Sequence, residues 1–224
     1  NVPKHNSAET KTIKKKKQLE MILETIPSHP SPKVFLEQYT TPSVIASDLL
    51  WNAFSMGDID GRSVIDLGCG TGIFSIGSIL LGADKALGID IDVDSVEAAQ
   101  NISKDMGING VNFKVLDVNK INSLSNVIES ENLYCNEDFK VETLFQNPPF
   151  GSQEKGQSGA DRKFIDLAMK SSEVIYSFHM LSTEKFVYKY FENLGGNITH
   201  RFQYQFPLPK IYDFHTKEFY NVDV

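Results

Sequence analysis

The sequence predicts an α/β fold built on a doubly wound, mostly parallel sheet, and three observations carry that reading. From Gly61 onward, short apolar runs that read as strands alternate with amphipathic helical stretches. A glycine-rich turn, Asp66-Leu67-Gly68-Cys69-Gly70-Thr71-Gly72, stands between the first of those strands and the first of those helices. Acidic residues, Asp90 and Asp117, end the next two strands, on the rim where sheets of this kind bind ligands. The 224 residues, 41% hydrophobic and 23% charged, suffice for one sizeable domain.

Residues 1–32 form a basic N-terminal segment ahead of a domain at 33–224. The segment carries Lys11 and the run Lys14, Lys15, Lys16 and Lys17, then Leu19, Ile22, Leu23 and Ile26 at helix-like spacing. Pro27, Pro30 and Pro32 close it. The lysine run reads either as a solvated helix surface or as a nucleic-acid contact. Residues 36–42 are a polar, aromatic turn, and 44–53 a helix with Ile45, Leu49 and Leu50 on one side. Ser63–Leu67 and Lys85–Asp90 read as strands, and 94–106 as an amphipathic helix with Asp94 as its N-cap. A third strand spans 111–117. Residues 118–140 are polar and irregular, with a weak helix near 124–128, and read as a surface insertion. Val141–Gln146 is the fourth strand, followed by a Gly/Ser/Gln/Lys loop at 151–159. A helix at 161–172, a strand at 174–178 and a helix at 183–194 come next. The stretches 198–206 and 218–224 alternate like a closing antiparallel pair.

The net charge of −7 argues against broad, unassisted nucleic-acid binding and leaves room only for a local basic patch. Two cysteines, Cys69 and Cys135, exclude a disulfide framework and a self-contained zinc site. They fit a reducing, cytoplasmic setting. No apolar run approaches the ~20 residues that span a bilayer, so no membrane association is expected. The chain opens on Asn1 rather than Met, which points to a trimmed or partial chain.

The chemistry gathers where the fourth strand ends, at Asn147-Pro148-Pro149-Phe150. Two prolines stop a sheet ladder, lock φ and supply no backbone N–H, so what remains is a stiff cluster of acceptors beside an aromatic face. Such a tip suits a planar amino group; the bland alternative is a turn. The glycine loop reads G-x-G-x-G rather than G-x-G-x-x-G, so it need not hold a pyrophosphate. Asp66 beside it repels phosphate and suits an ammonium group. Asp90 is placed to bind ribose hydroxyls, and Asp117 to accept from an exocyclic amine. Together they outline a nucleoside pocket for a ligand without phosphate, and S-adenosylmethionine is such a ligand. Each residue keeps a simpler alternative. Asp90, Asp92 or Asp94 can cap the following helix, Asp117 can serve a turn, and Cys69 can be a small packing residue.

On those residues the chain resembles the class I S-adenosylmethionine-dependent methyltransferases that act on planar amino groups, whose (D/N/S)-P-P-(Y/F/W) motif stands here as Asn147-Pro148-Pro149-Phe150. The segments Phe35-Leu36-Glu37-Gln38-Tyr39-Thr40-Thr41, Tyr176-Ser177-Phe178-His179 and Asp213-Phe214-His215 narrow the resemblance to the methyltransferase-like 5 group. That group methylates adenosine N6 in small-subunit ribosomal RNA and works with a zinc-containing activator of the Trm112 type. The resemblance implies a seven-stranded sheet, mostly parallel with the last strand antiparallel. It implies cofactor contacts from Gln38, Thr41, Asp66, Gly68, Cys69, Gly70, Gly72, Asp90, Asp117 and Asn147, and no metal. It implies a target-amine site at Asn147, Pro148, Pro149 and Phe150, an activator pairing with the edge strand near 112–116, and an RNA partner. His179 and His215 stand as substrate contacts or as structural histidines. The chain departs from the group at Thr40, where proline is usual, in the longer 118–140 stretch and in an early end to the last strand. Methylation of a protein glutamine, of cytosine N4 or of DNA adenine fits the same tip, and a catalytically idle cofactor-binding module is the alternative of a different class.

Overall fold

Strands that are aliphatic on both faces need helices on both sides, and this chain supplies them. The structure, a computed structural model, describes residues 13–29, 31, 40–149, 160–209 and 219–223. β1 (Ser63–Leu67) is buried along its whole length and sits at the centre of a parallel sheet. β2 (Lys85–Asp90) and β4 (Val141–Gln146) flank it; β3 (Val111–Val115) and β5 (Ser172–Ser177) form the edges. The helices are α1 (Lys16–Leu23), α2 (Ser43–Ser55), α3 (Ile73–Leu80), α4 (Val93–Asp105), α5 (Ser125–Ser130), α6 (Ala160–Ser171) and α7 (Glu184–Asn193).

Period-two alternation in the strands separates two cores. Val64, Ala86 and Phe145 face α1 to α4, with Leu19 and Leu23 of α1 buried in that same core. Ile65, Leu67, Leu87, Ile89 and Leu144 face the opposite side. Phe145 stacks between Phe74 and Tyr176, with ring centroids 5.4 and 5.0 Å away, which stiffens β4 just before Asn147.

Four expectations change. Among the described residues the sheet has five strands, not seven. β6 (Gln205–Pro209) and β7 (Phe219–Asp223) form a separate antiparallel pair among the described residues. Pro207 and Pro209 limit what β6 can bond, and Phe206 joins it to the body by its side chain, fully buried with its ring edge-on to Phe178. Residues 118–140 are not a surface insertion. Val118, Leu124, Ile128 and Leu133 roof the second core, because Ile65, Leu67, Leu87 and Ile89 need an apolar cover and Leu124 and Ile128 lie one helical turn apart. The N-cap of α4 is Asp92, whose carboxylate accepts from the Ser95 N–H at 3.1 Å; Asp94 sits in the first turn instead. Finally, β3 ends at Val115, because Asp117 caps a 3-10 turn over Val118–Lys120.

Candidate active site

The glycine loop is tied to the end of β2, where the Gly68 and Cys69 N–H groups both donate to the Ile89 carbonyl, at 2.7 and 2.9 Å. Gly70 and Gly72 have φ of +53° and +90°, a region that L side chains rarely adopt. They differ in surroundings. A methyl group on Gly72 would lie 2.9 Å from the Phe113 ring, whereas one on Gly70 would meet nothing within 4 Å. The open side of the loop is therefore at Gly70.

Asp90 borders that opening. Its Oδ2 accepts from the Gly70 N–H at 2.8 Å and its Oδ1 from the Asp92 N–H at 2.9 Å. Each oxygen keeps a further lone pair, and burial raises the pKa of this half-buried carboxyl. Asp66 is deeper, at 2% exposure, with Oδ2 accepting from the Ser75 N–H and hydroxyl at the first turn of α3, at 3.0 and 2.7 Å. Burial, opposed by those two bonds, pushes its pKa up to about 7. No Lys or Arg among the described residues pairs with Asp66 or Asp90. A cradle with two carboxyls and no cation fits a positively charged nucleoside and opposes a phosphate. The site thus suits S-adenosylmethionine.

Cys69 is buried, its thiol pKa raised by that burial, and packs inward. Asp117 is half-buried at the rim; its Oδ1 accepts from the Asn119 N–H at 2.9 Å. Ile91, next to Asp90, keeps 44% of its surface exposed and offers an apolar face beside the cradle. Sequence reasoning passed over it, although an apolar residue directly after a strand-end acid is a readable signal.

At the tip, the side-chain amide of Asn147 has its two ends in different circumstances. Nδ2 donates to the Thr41 hydroxyl at 3.3 Å, while Oδ1 is buried without a partner among the described residues. Pro148 is buried and Pro149 half-buried beside it. An orphaned buried acceptor is unusual enough to need a cause. Thr41 thus stands beside the tip, while Gln38, Phe150 and His215 lie outside the described residues.

His179 follows β5. Gln146 Nε2 donates to the Ser177 hydroxyl at 2.9 Å, and that hydroxyl shares a hydrogen bond with His179 Nε2 at 2.6 Å. Burial pushes the imidazole pKa down to about 4, so the ring is neutral. In the N-terminal lysine run, Lys16 pairs with Asp48 at 2.8 Å and Lys17 with Glu20 at 2.9 Å, the behaviour of a helix surface.

The family model for ribosomal protein L11 methyltransferase (PrmA) matches residues 48–136. That stretch holds the glycine loop and Asp90 and stops short of Asn147. An uncharacterized protein of Methanocaldococcus jannaschii is 43% identical over 212 residues, 94% of this chain and 91% of its own length. The rRNA N(6)-adenosine-methyltransferase METTL5 of Danio rerio is 30% identical over 94% of this chain and 96% of its own. A crystal structure from Pyrococcus horikoshii, named as a candidate RNA methyltransferase, superposes with a TM-score of 0.78 at 34% identity, covering 94% of this chain and 95% of that one. With that similarity running the full length of the fold, and the cradle and acceptor tip in place, the chain belongs to the METTL5 group of class I S-adenosylmethionine-dependent methyltransferases.

Proposed function

We propose that this methyltransferase modifies N6 of an adenosine in small-subunit ribosomal RNA. The observation that carries the reading is Asn147: with Nδ2 held by Thr41, the side chain keeps a buried oxygen acceptor at the strand end that has no partner among the described residues. Relatives named as rRNA N6-adenosine methyltransferases support RNA as the substrate. The L11 methyltransferase match ends ahead of the tip and speaks only for the cofactor half. Incubating the chain and tritiated cofactor with total RNA and with ribosomal proteins tests the assignment. Label in adenosine supports it, and label confined to protein overturns it.

When bound, S-adenosylmethionine supplies an electrophilic methyl group on a sulfonium. The chain's residues do the rest. The lone pair of an adenine amino group is delocalised into the ring, which makes it a poor nucleophile. Asn147 Oδ1 and the Pro148 carbonyl accept its two N–H bonds and draw the nitrogen toward tetrahedral geometry. The same two acceptors stabilise the positive charge that develops on nitrogen during transfer. Because the tip is stiffened by two prolines and by the ring stack under Phe145, little reorganisation is needed. A target in a paired region has to be turned out of its stack to reach the tip.

Asp66 makes the pocket sensitive to pH. Its folded pKa of about 7 lies above the ordinary 3.8, so its contribution to stability is full below the ordinary value and is lost as pH rises through about 7. At about pH 6 the free carboxyl holds a proton, and a cationic ligand favours the ionised form. Cofactor affinity is therefore expected to rise about tenfold from pH 6 to pH 8, with proton release at the lower pH. Titration calorimetry in buffers of different ionisation enthalpy reads both quantities. Asp66→Asn should flatten the profile, and a flat wild-type profile would detach Asp66 from the ligand.

β3 is the place for a protein partner, a Trm112-type zinc protein adding a strand. The Ala86 N–H bonds to the Gly110 carbonyl and the Leu116 N–H to that of Asp90, so even positions bond inward and the main chains of Val111, Phe113 and Val115 face out. Asn112 and Lys114 are held by Glu131, at 2.8 and 2.6 Å, which restrains their side chains; among the described residues no strand pairs with the outward main chain, of which the Phe113 carbonyl accepts from Gln100 Nε2 at 3.4 Å. Val115→Pro removes an outward N–H and should abolish a complex formed on co-expression while the fold persists. Size-exclusion chromatography shows the result; a complex that survives the proline places the partner elsewhere.

A further inference from the structure

The basic N-terminal segment enters the cofactor site by a route its lysines do not reveal. After α1 the chain runs to Pro27, whose carbonyl accepts from the Thr71 hydroxyl of the glycine loop at 2.9 Å. Two residues on, His29 Nε2 lies 2.7 Å from Asp92 Oδ2 at the start of α4, and both side chains are almost wholly buried, at 6% and 2% exposure. The Ser31 N–H donates to His29 Nδ1 at 2.9 Å. That bond makes Nδ1 an acceptor and sets the ring proton on Nε2, where it is donated to the carboxylate.

The contacts close a circuit around Asp90. Asp92 gives its N–H to one Asp90 oxygen, and its carboxylate accepts from His29 Nε2, the Ser95 N–H and the Ser95 hydroxyl. Gly70 gives its N–H to the other Asp90 oxygen, and the adjoining Thr71 returns the chain of bonds to Pro27. The loop, the start of α4 and the N-terminal segment therefore hold one another at fixed separation, with the rim carboxylate between them.

We propose that His29 is a positioning residue for the cofactor pocket. It latches the N-terminal segment across the glycine loop and α4 and so fixes Asp90 for the ribose hydroxyls. The proposal rests on the reading of Asp90 as a cofactor contact. A latch that only organised the fold would set stability alone. One that preorganises Asp90 sets ligand affinity as well, because binding and latching are linked reciprocally.

The test uses the full chain and S-adenosylhomocysteine, which binds without turnover. His29→Ala is expected to weaken its binding about tenfold, with kcat at saturating cofactor staying within about twofold of wild type. His29→Gln, whose amide can still donate to Asp92, should recover most of the affinity. Thr71→Val, which cuts the other attachment, should weaken binding on its own, and the double variant should lose less than the product of the two single losses. If His29→Ala does not fold, His29→Gln and Thr71→Val alone decide, through the KM for cofactor against kcat. Affinities within about twofold of wild type across the series, whatever happens to melting temperature, would reduce His29 to a packing role and overturn the latch. Asp90→Ala in the same series separates the two ideas. If it binds as wild type, the assignment of the rim carboxylate fails, whereas the latch is judged by the His29 and Thr71 variants.

Discussion

Asn147→Ala should cut methyl transfer about 10²–10³-fold, the loss typical of removing one preorganised group that acts on developing charge. Cofactor affinity should hardly change. The lost atom is an acceptor whose present bonding is nil, since Oδ1 has no partner in the described structure and only Nδ2 is engaged, with Thr41. Asn147→Asp is the informative companion: it keeps the acceptor but gives up the N–H that anchors it, so it should retain more activity than alanine. Single-turnover assays on ribosomal RNA fragments, paired with binding of the demethylated product, measure both. If Asn147→Ala keeps more than about a tenth of the wild-type rate, far above that loss, the tip is a turn and nothing more.

Asp90→Ala should act on the other half of the reaction, weakening S-adenosylhomocysteine binding about a hundredfold, as expected when hydrogen bonds to a charged group are lost. The substitution also releases the Gly70 and Asp92 N–H groups that the carboxylate holds, at 2.8 and 2.9 Å. Asp90→Asn, which retains one oxygen, should fall between. Calorimetry gives the affinities, and far-UV circular dichroism shows whether the fold survives. An alanine variant that binds normally would take the ribose out of this rim.

The fold was legible wherever one physical signal dominated. Ser63–Leu67, Lys85–Asp90 and Val141–Gln146 lie in the structure where the apolar runs put them, because Val64, Ile65, Leu67, Leu87, Ile89, Val141 and Leu144 are all buried and mark the strands by themselves. The place of Asn147 at the end of β4 was legible for a similar reason, since two prolines after a strand admit few geometries. What was not legible depended on distant partners. The roofing role of Leu124 and Ile128 is set by side chains of β1 and β2, more than thirty residues away, and local polarity hid it. The choice of Asp92 over Asp94 as cap goes with His29, 63 residues away, which only the fold brings to the carboxylate beside the local bond from the Ser95 N–H. The detachment of β6 and β7 from the main sheet is a matter of pairing choice, and alternation alone does not name the neighbour.

Phe113 has a wider consequence. Its ring, carried on the edge strand, fills the notch left by Gly72 in the cofactor loop and by Gly88 in the adjoining strand, where any side chain would collide with it. Edge and loop thereby meet through one side chain, with the ring as the peg between them. A protein that clasps this edge also grips the floor of the cofactor cradle.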